Sequence, residues 1–161
     1  MQIKILTTGG TIDKIYFDAK SEYQVGEPQV PELLRTANIG FDVAVESVLR
    51  KDSLELTDDD RSLIRNRVEA DGSDHMLVTH GTDTMVQTAK ALLGIPGKTI
   101  VLVGSMQPAS LRLSDADFNI GFAIAAVQLL PPGVYLAMNG QIFDPTRTRK
   151  NVAEHRFEVT P

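Results

Sequence analysis

Five short, predominantly apolar runs separated by helical patterns leave this chain few ways to fold. The runs are Ile3-Lys4-Ile5-Leu6, Val43-Ala44-Val45, His75-Met76-Leu77-Val78, Thr99-Ile100-Val101-Leu102-Val103 and Val134-Tyr135-Leu136-Ala137. Continuous rather than alternating apolarity is the mark of strands buried on both faces, as in parallel sheets covered by helices. One helical pattern begins at Thr57, ahead of Asp58-Asp59-Asp60, and carries Leu63, Ile64 and Val68 at helical spacing. Its aspartates sit at the positive helix start, which assigns them to capping rather than catalysis. A second pattern runs from Asp83 to Leu93 and stops at Gly94 and Pro96; a third runs from Asp115 to Leu130 and stops at Pro131-Pro132. Strand and helix in alternation, joined by right-handed crossovers, predict a three-layer, doubly wound α/β fold, Rossmann-like and mainly parallel, with its functional loops along one sheet edge. The 161 residues fit one such domain, with no internal repeat or low-complexity linker to divide it.

Composition narrows the function classes. A formal net charge of -5 disfavours nucleic acid and anionic membranes as partners, since their binders present a basic footprint. A local basic cluster does occur at Arg147-Thr148-Arg149-Lys150. With no cysteine, thiol redox chemistry is excluded. The amino terminus enters a strand without the features of a signal peptide, and no apolar run reaches membrane-spanning length, so a cytoplasmic protein is expected.

The first strand ends abruptly at Thr7-Thr8-Gly9-Gly10-Thr11. Glycines there let backbone amides approach a ligand, and Thr11 is either a hydroxyl aimed into a site or an ordinary helix-start residue. Residues 14–30 then interrupt the expected strand-to-helix unit with an alternating, aromatic-bearing segment. It reads as a loop or hairpin, a candidate lid that would carry Tyr16 or Tyr23 over a ligand. Two further edge loops are rich in hydroxyl and acidic side chains: Asp52-Ser53, and His80-Gly81-Thr82-Asp83-Thr84. Neither a dinucleotide fingerprint nor a P-loop is present, and Gly104-Ser105-Met106 is not a serine-hydrolase elbow. His75, His80 and His155 lack metal-ligand spacing, so no metal and no cofactor are expected. Two threonines on glycine-bearing loops remain, with an acid, a tyrosine and Lys150. A threonine hydroxyl attacks only with help from a base such as a lysine, which Asp83 could hold in place. For Thr82 the alternative is a helix cap, and for Lys150 a solvated charge beside two arginines.

These residues resemble the bacterial-type L-asparaginases, threonine-nucleophile amidohydrolases that include glutaminases. Thr8-Gly9-Gly10-Thr11-Ile12 looks like that family's first signature and His80-Gly81-Thr82-Asp83-Thr84-Met85 like its second, in the right order. Lys20-Ser21-Glu22-Tyr23-Gln24-Val25-Gly26 is similar to its flexible loop, and Val103-Gly104-Ser105-Met106-Gln107-Pro108 to the strand and turn after the second signature. Met138-Asn139, followed by Lys150, resembles the approach to its catalytic lysine. The resemblance implies Thr11 as nucleophile, Tyr23 as its lid partner, and Thr82, Asp83 and Lys150 as a second hydroxyl, carboxylate and base. It implies substrate contacts from Gly10, Asp52, Ser53, Gly81, Thr82 and Asp83, with Ser53 on the α-carboxylate and Asp83 on the α-ammonium group. The implied substrate is L-asparagine or L-glutamine, and the implied assembly a homo-oligomer. Three departures stand out. The family's smaller C-terminal domain, which supplies an acidic ligand to a neighbouring subunit, is expected to be lacking, and Leu54 replaces a polar residue common after the serine. The run Asp144 to Lys150 also differs in detail from the family's.

Overall fold

The computed structural model describes residues 1–160. Its centre is a six-stranded sheet in the order β4 (Asp42–Lys51), β1 (Gln2–Gly9), β5 (His75–Thr79), β6 (Thr99–Val103), β7 (Gly133–Met138), β8 (Gln141–Phe143). Every pairing is parallel except the last, where β8 turns back on β7. The apolar runs behave as two-sided burial requires: Ile3, Ile5, Leu6, Leu77, Val78 and all of Ile100 to Val103 are fully buried. The exception is Val43-Ala44-Val45. It lies in β4, at the edge of the sheet, where Val45 stays 38% exposed. Two-sided burial is incomplete there because an edge strand has a neighbour on one side only and α1 covers it partially, leaving a hollow between Leu34, Ile39, Val43 and Val45.

Among the helices, α2 (Asp58–Ala70) starts as its sequence predicts. The Asp60 amide donates to Thr57 Oγ1 at 3.2 Å and the Thr57 amide to the Asp60 carboxylate at 2.9 Å, a reciprocal capping box. The second and third helical patterns become α3 (Met85–Ala91) and α4 (Ala116–Leu129), each shorter at its ends than expected. A further short helix, α1 (Val30–Thr36), takes Pro31 in its first turn, where the missing N–H costs nothing.

The helices cover both faces of the sheet, but the crossovers do not share one hand. α2 and α3 pack together, with the Arg65 guanidinium donating to the Ala91 carbonyl at 2.7 Å. α1 and α4 instead share a groove lined by Leu33, Leu34, Ile120 and Ile124. The steps β5 to β6 and β6 to β7 run in the same direction across the sheet, yet α3 and α4 lie on opposite faces. The α4 connection therefore has the opposite hand to that of α3, which corrects the expectation of right-handed crossovers throughout. That rule rests on a helix following its strand closely. Here the long loop 104–115 intervenes and is itself anchored, through the Ala109 amide to the Ile12 carbonyl at 3.1 Å.

Counted over the five parallel strands, the order is 2-1-3-4-5, one of the two common doubly wound arrangements. The chain leaves β1 toward β4 on one side and returns to β5 on the other, so the direction of winding reverses beside β1. Such a switch point opens a crevice at the carboxyl ends of the strands, between the loops that follow β1 and β5. Two small antiparallel hairpins flank this edge. One joins β2 (Lys14–Phe17) to β3 (Glu22–Val25); the other joins β9 (Thr148–Asn151) to β10 (Arg156–Val159).

Candidate active site

The loops after β1, β4 and β5 meet at backbone distance. Gly10 has φ +85°, and a side chain there would overlap the Gly81 backbone. A Cβ on Gly81 would in turn fall 2.6 Å from Ser53 Cβ. Close approach of the three loops therefore requires both glycines, and the backbone conformation of Gly10 requires one there independently. Hydrogen bonds fix the same junction. The Gly10 amide donates to the Lys51 carbonyl at 2.9 Å, Thr8 Oγ1 to the Thr79 carbonyl at 2.9 Å, and Thr84 Oγ1 to the Ser53 carbonyl at 2.6 Å.

On this platform Thr82 is nearly buried, and its Oγ1 accepts a hydrogen bond from Lys150 Nζ at 2.7 Å. The same nitrogen pairs with Asp83 Oδ1 at 2.5 Å. Lys150 is brought there by β9, far along the chain, and its side chain is 14% exposed. It is thus no solvated charge. Nor is Thr82 a helix cap: the N-cap of α3 is Thr84, and the Thr82 hydroxyl is committed to the lysine. A hydroxyl, an amine and a carboxylate in hydrogen-bonded sequence is the arrangement needed to move a proton on and off a nucleophile.

Thr11 opens a 3-10 turn, Thr11–Asp13, whose N-cap is Gly10 rather than Thr11. It is half-buried next to the Gly10–Gly81 contact, and its hydroxyl has no hydrogen-bond partner among the described residues. Capping accounts for neither threonine. The amides of Thr82 and Asp83 make no backbone hydrogen bond among the described residues. They are donors available to an oxyanion.

The remaining predicted groups are placed less tightly. Ser53 Oγ is buried and unpartnered, tucked against Gly81. The Asp52 carboxylate accepts from the Leu54 amide at 3.2 Å and pairs with Lys14 Nζ at 2.6 Å. Burial by itself would raise this carboxyl, but Lys14 and the amides of Leu54 and Ser53 outweigh it and hold it below its ordinary value. Leu54 points outward, 73% exposed. Tyr23 lies on β3 directly opposite Tyr16, with the two rings edge-on and their centroids 5.4 Å apart. The candidate lid is therefore a hairpin. No hydrogen bond joins Tyr23 to Thr11; its ring borders a hollow of about 360 Å³ with Lys14, Asp52 and Glu55.

His80, set aside in sequence as an isolated histidine, belongs to the frame of this site. It is fully buried, with Nδ1 2.7 Å from the Gly81 carbonyl and Nε2 2.7 Å from Thr88 Oγ1. Burial pushes its pKa down to about 4, so the ring is neutral, donating through Nδ1 and accepting through Nε2. That pins the peptide preceding Thr82. Asp115 plays a similar part for the loop after β6, accepting from the Met106 and Gln107 amides at 2.9 Å and from Asn119 Nδ2 at 2.8 Å. Its position just before α4 suggests a helix cap, yet its side chain makes no cap bond, so the sequence carried no local signal for this role. Among the described residues, no three His, Asp or Glu side chains converge as a metal site would need.

Comparison with known proteins decides what this geometry belongs to. The model of the asparaginase N-terminal domain matches residues 2–159. The chain belongs to the asparaginase family. It is 32% identical to an L-asparaginase of Thermococcus kodakarensis across 93% of this chain and 48% of that protein. The solved structure of the thermostable L-asparaginase from that organism superposes with a TM-score of 0.86 at 30% identity, covering 99% of this chain and 51% of the other. One component of the glutamyl-tRNA(Gln) amidotransferase of Methanococcus vannielii is 33% identical across 88% of this chain and 35% of its own length. The chain thus spans about half the length of these asparaginases and less of the amidotransferase component.

Proposed function

We propose that the chain hydrolyses the side-chain amide of L-asparagine, with L-glutamine as a second candidate substrate, through an ester on Thr11. The observation that carries this is the Thr82–Lys150–Asp83 chain set against the Gly10–Gly81 contact beside the unpartnered Thr11 hydroxyl. Thr11 Oγ1 attacks the amide carbon as its proton leaves toward the Tyr23 hydroxyl, and the tetrahedral oxyanion is met by loop amides. Collapse breaks the C–N bond, and the nitrogen takes the proton given up by Thr11, relayed through the Tyr23 hydroxyl, to depart as ammonia. Water activated through the Thr82–Lys150 pair then attacks the β-aspartyl ester and releases aspartate, returning the proton to Thr11. Ser53, on a loop that Asp52 braces, receives the substrate α-carboxylate after its hydroxyl swings from Gly81. Asp83 is shared between Lys150 and the α-ammonium group. A homo-oligomer in the cytoplasm completes the reading, and sizing of the purified chain tests the first half of it.

The similarity to an amidotransferase component supports a second reading, in which the ammonia is handed to a partner rather than released. One assay separates them: ammonia release by the purified chain alone, from both amides, with and without chelator. Release that chelation leaves unchanged is expected. Thr11→Ala and Thr82→Ala should each lower turnover by at least about a hundredfold, with the double variant little worse, because members of one catalytic unit act non-additively. Binding of asparagine without turnover would refute the hydrolase. Full activity in both single variants would refute the assigned roles.

A further inference from the structure

We propose that Lys14 and Asp52 form a charge latch that sets the tilt of the Tyr23-bearing hairpin, which makes both of them positioning residues. The role of Tyr23 rests on the reaction assigned above; the latch itself rests on geometry.

The hairpin is poorly held by packing. Its strands pair with each other and with no other strand, and Ile15, Tyr16, Phe17 and Tyr23 are 39%, 52%, 42% and 47% exposed. What fixes it is concentrated at its feet. The Gly26 amide donates to the Asp13 carbonyl and the Gln29 amide to Asp13 Oδ1, both at 2.8 Å. Bonds at the feet of a two-stranded ribbon define an axis but leave rotation about it weakly restrained, since an isolated hairpin supplies little stability of its own.

Three contacts oppose that rotation. Ser110 Oγ donates to the Lys14 carbonyl at 3.1 Å, an exposed bond between neutral groups for which water competes. Arg50 pairs with Glu27, but their side chains are 49% and 74% exposed, where an ion pair contributes little. The Lys14–Asp52 pair is different. It is 2.6 Å long, its side chains are only 26% and 30% exposed, and Asp52 is anchored by its own bond to the Leu54 amide. It also spans the gap that matters. Lys14, Tyr23, Asp52 and Glu55 border one hollow, so the Lys14–Asp52 separation governs how far Tyr23 stands from the Ser53 loop. Tyr23 sits two residues along β3 from Val25, the register partner of Lys14, roughly 7 Å of strand away. A swing at the latch is carried to the tyrosine through a short, paired ribbon.

The test uses Lys14→Met, which keeps the aliphatic stem and removes the charge, with Asp52→Asn, which keeps an acceptor for Leu54, as a second variant. Amide hydrogen exchange is read over residues 14–25 and over β5 and β6 as reference. The latch predicts exchange about five-fold faster in the hairpin of either variant, the factor a partly exposed pair supports, with the reference strands unchanged. Raising the salt to about 1 M should speed hairpin exchange in the parent but not in Lys14→Met, because screening has then lost its target. Turnover of asparagine should fall about five-fold in Lys14→Met with KM moved less than two-fold. Hairpin exchange equal to the parent's, or a salt effect that persists in Lys14→Met, overturns the latch. Faster exchange with unchanged turnover overturns the positioning role. If the parent releases no ammonia, the assigned reaction fails, while the exchange result still decides the latch.

Discussion

Asp13, at the foot of the hairpin, carries a stability penalty whose size and pH range follow from its surroundings. It is 1% exposed, and burial raises its carboxyl from 3.8 to about 6 despite the relief given by the Gln29 amide and the Arg50 charge. A carboxyl raised on folding binds its proton more tightly in the native state than in the unfolded chain. Its contribution to stability is therefore full below pH 3.8 and is lost as pH rises through about 6. A shift of roughly two units at 1.36 kcal/mol each makes the ionised native state about 3 kcal/mol less stable than a neutral group would leave it. Asp13→Asn removes the charge and keeps an acceptor for the Gln29 amide. Urea unfolding of parent and variant across pH 4 to 8 should show the variant gaining about 3 kcal/mol on the parent between pH 4 and 7, with the gap flat above. Taking the difference matters. Asp52, Asp60, Asp71 and Asp144 are held below their ordinary values, so their stabilisation runs the other way and is lost as pH falls. They cancel between the two proteins. A gap constant across the whole range would refute the argument, because a hydrogen-bond or packing effect of the amide does not titrate.

Gly81→Ala places a methyl 2.6 Å from Ser53 Cβ, and overpacking of that kind costs about 1–3 kcal/mol. Thermal melts should show the loss and ammonia release should fall as Ser53 is displaced; a stable, fully active variant would contradict the close approach of the two loops. Tyr23→Phe deletes a hydroxyl with no hydrogen bond in the protein, so unfolding free energy should stay within about 0.5 kcal/mol while turnover drops. Unchanged kinetics would take Tyr23 out of the mechanism, and a large stability loss would make it structural.

The sheet was legible because burial on both faces leaves its imprint on every residue of a strand. β1, β5, β6 and β7 each appear as a mostly apolar, buried run, whereas β4, exposed at the edge, breaks its apolar residues at Glu46-Ser47 into Val43-Ala44-Val45 and Val48-Leu49. β8 and the β9–β10 hairpin escaped because their strands are only three or four residues long and each sends a single aromatic, Phe143 or Phe157, into the core, too little to make a run. The site was legible where a motif is contiguous, as in Gly9-Gly10-Thr11 and His80-Gly81-Thr82-Asp83. Lys150 could be placed only by resemblance, since it reaches Thr82 from 68 residues away by way of β9. Nothing local in Arg147-Thr148-Arg149-Lys150 separates the lysine that turns inward from the arginines that do not.

The hand of the α4 crossover lies further from the sequence, and it bears on the site. The right-handed rule comes from the twist of a strand fed directly into its helix, a correlation that local pattern carries well. Between β6 and α4, residues 104–115 cross the carboxyl edge of the sheet. Asp115 gathers the start of that loop, the Ala109 amide ties its middle to Ile12, and Ser110 ties it to Lys14. Ile12 adjoins Thr11 and Lys14 begins the hairpin. Had α4 packed beside α3 on the near face, the loop would have had no reason to pass over the end of β1. The opposite hand is thus the route by which the β6–α4 loop buttresses the Thr11 turn. The sheet pattern and the loop path are separate constraints, and only the first is written in hydrophobic periodicity.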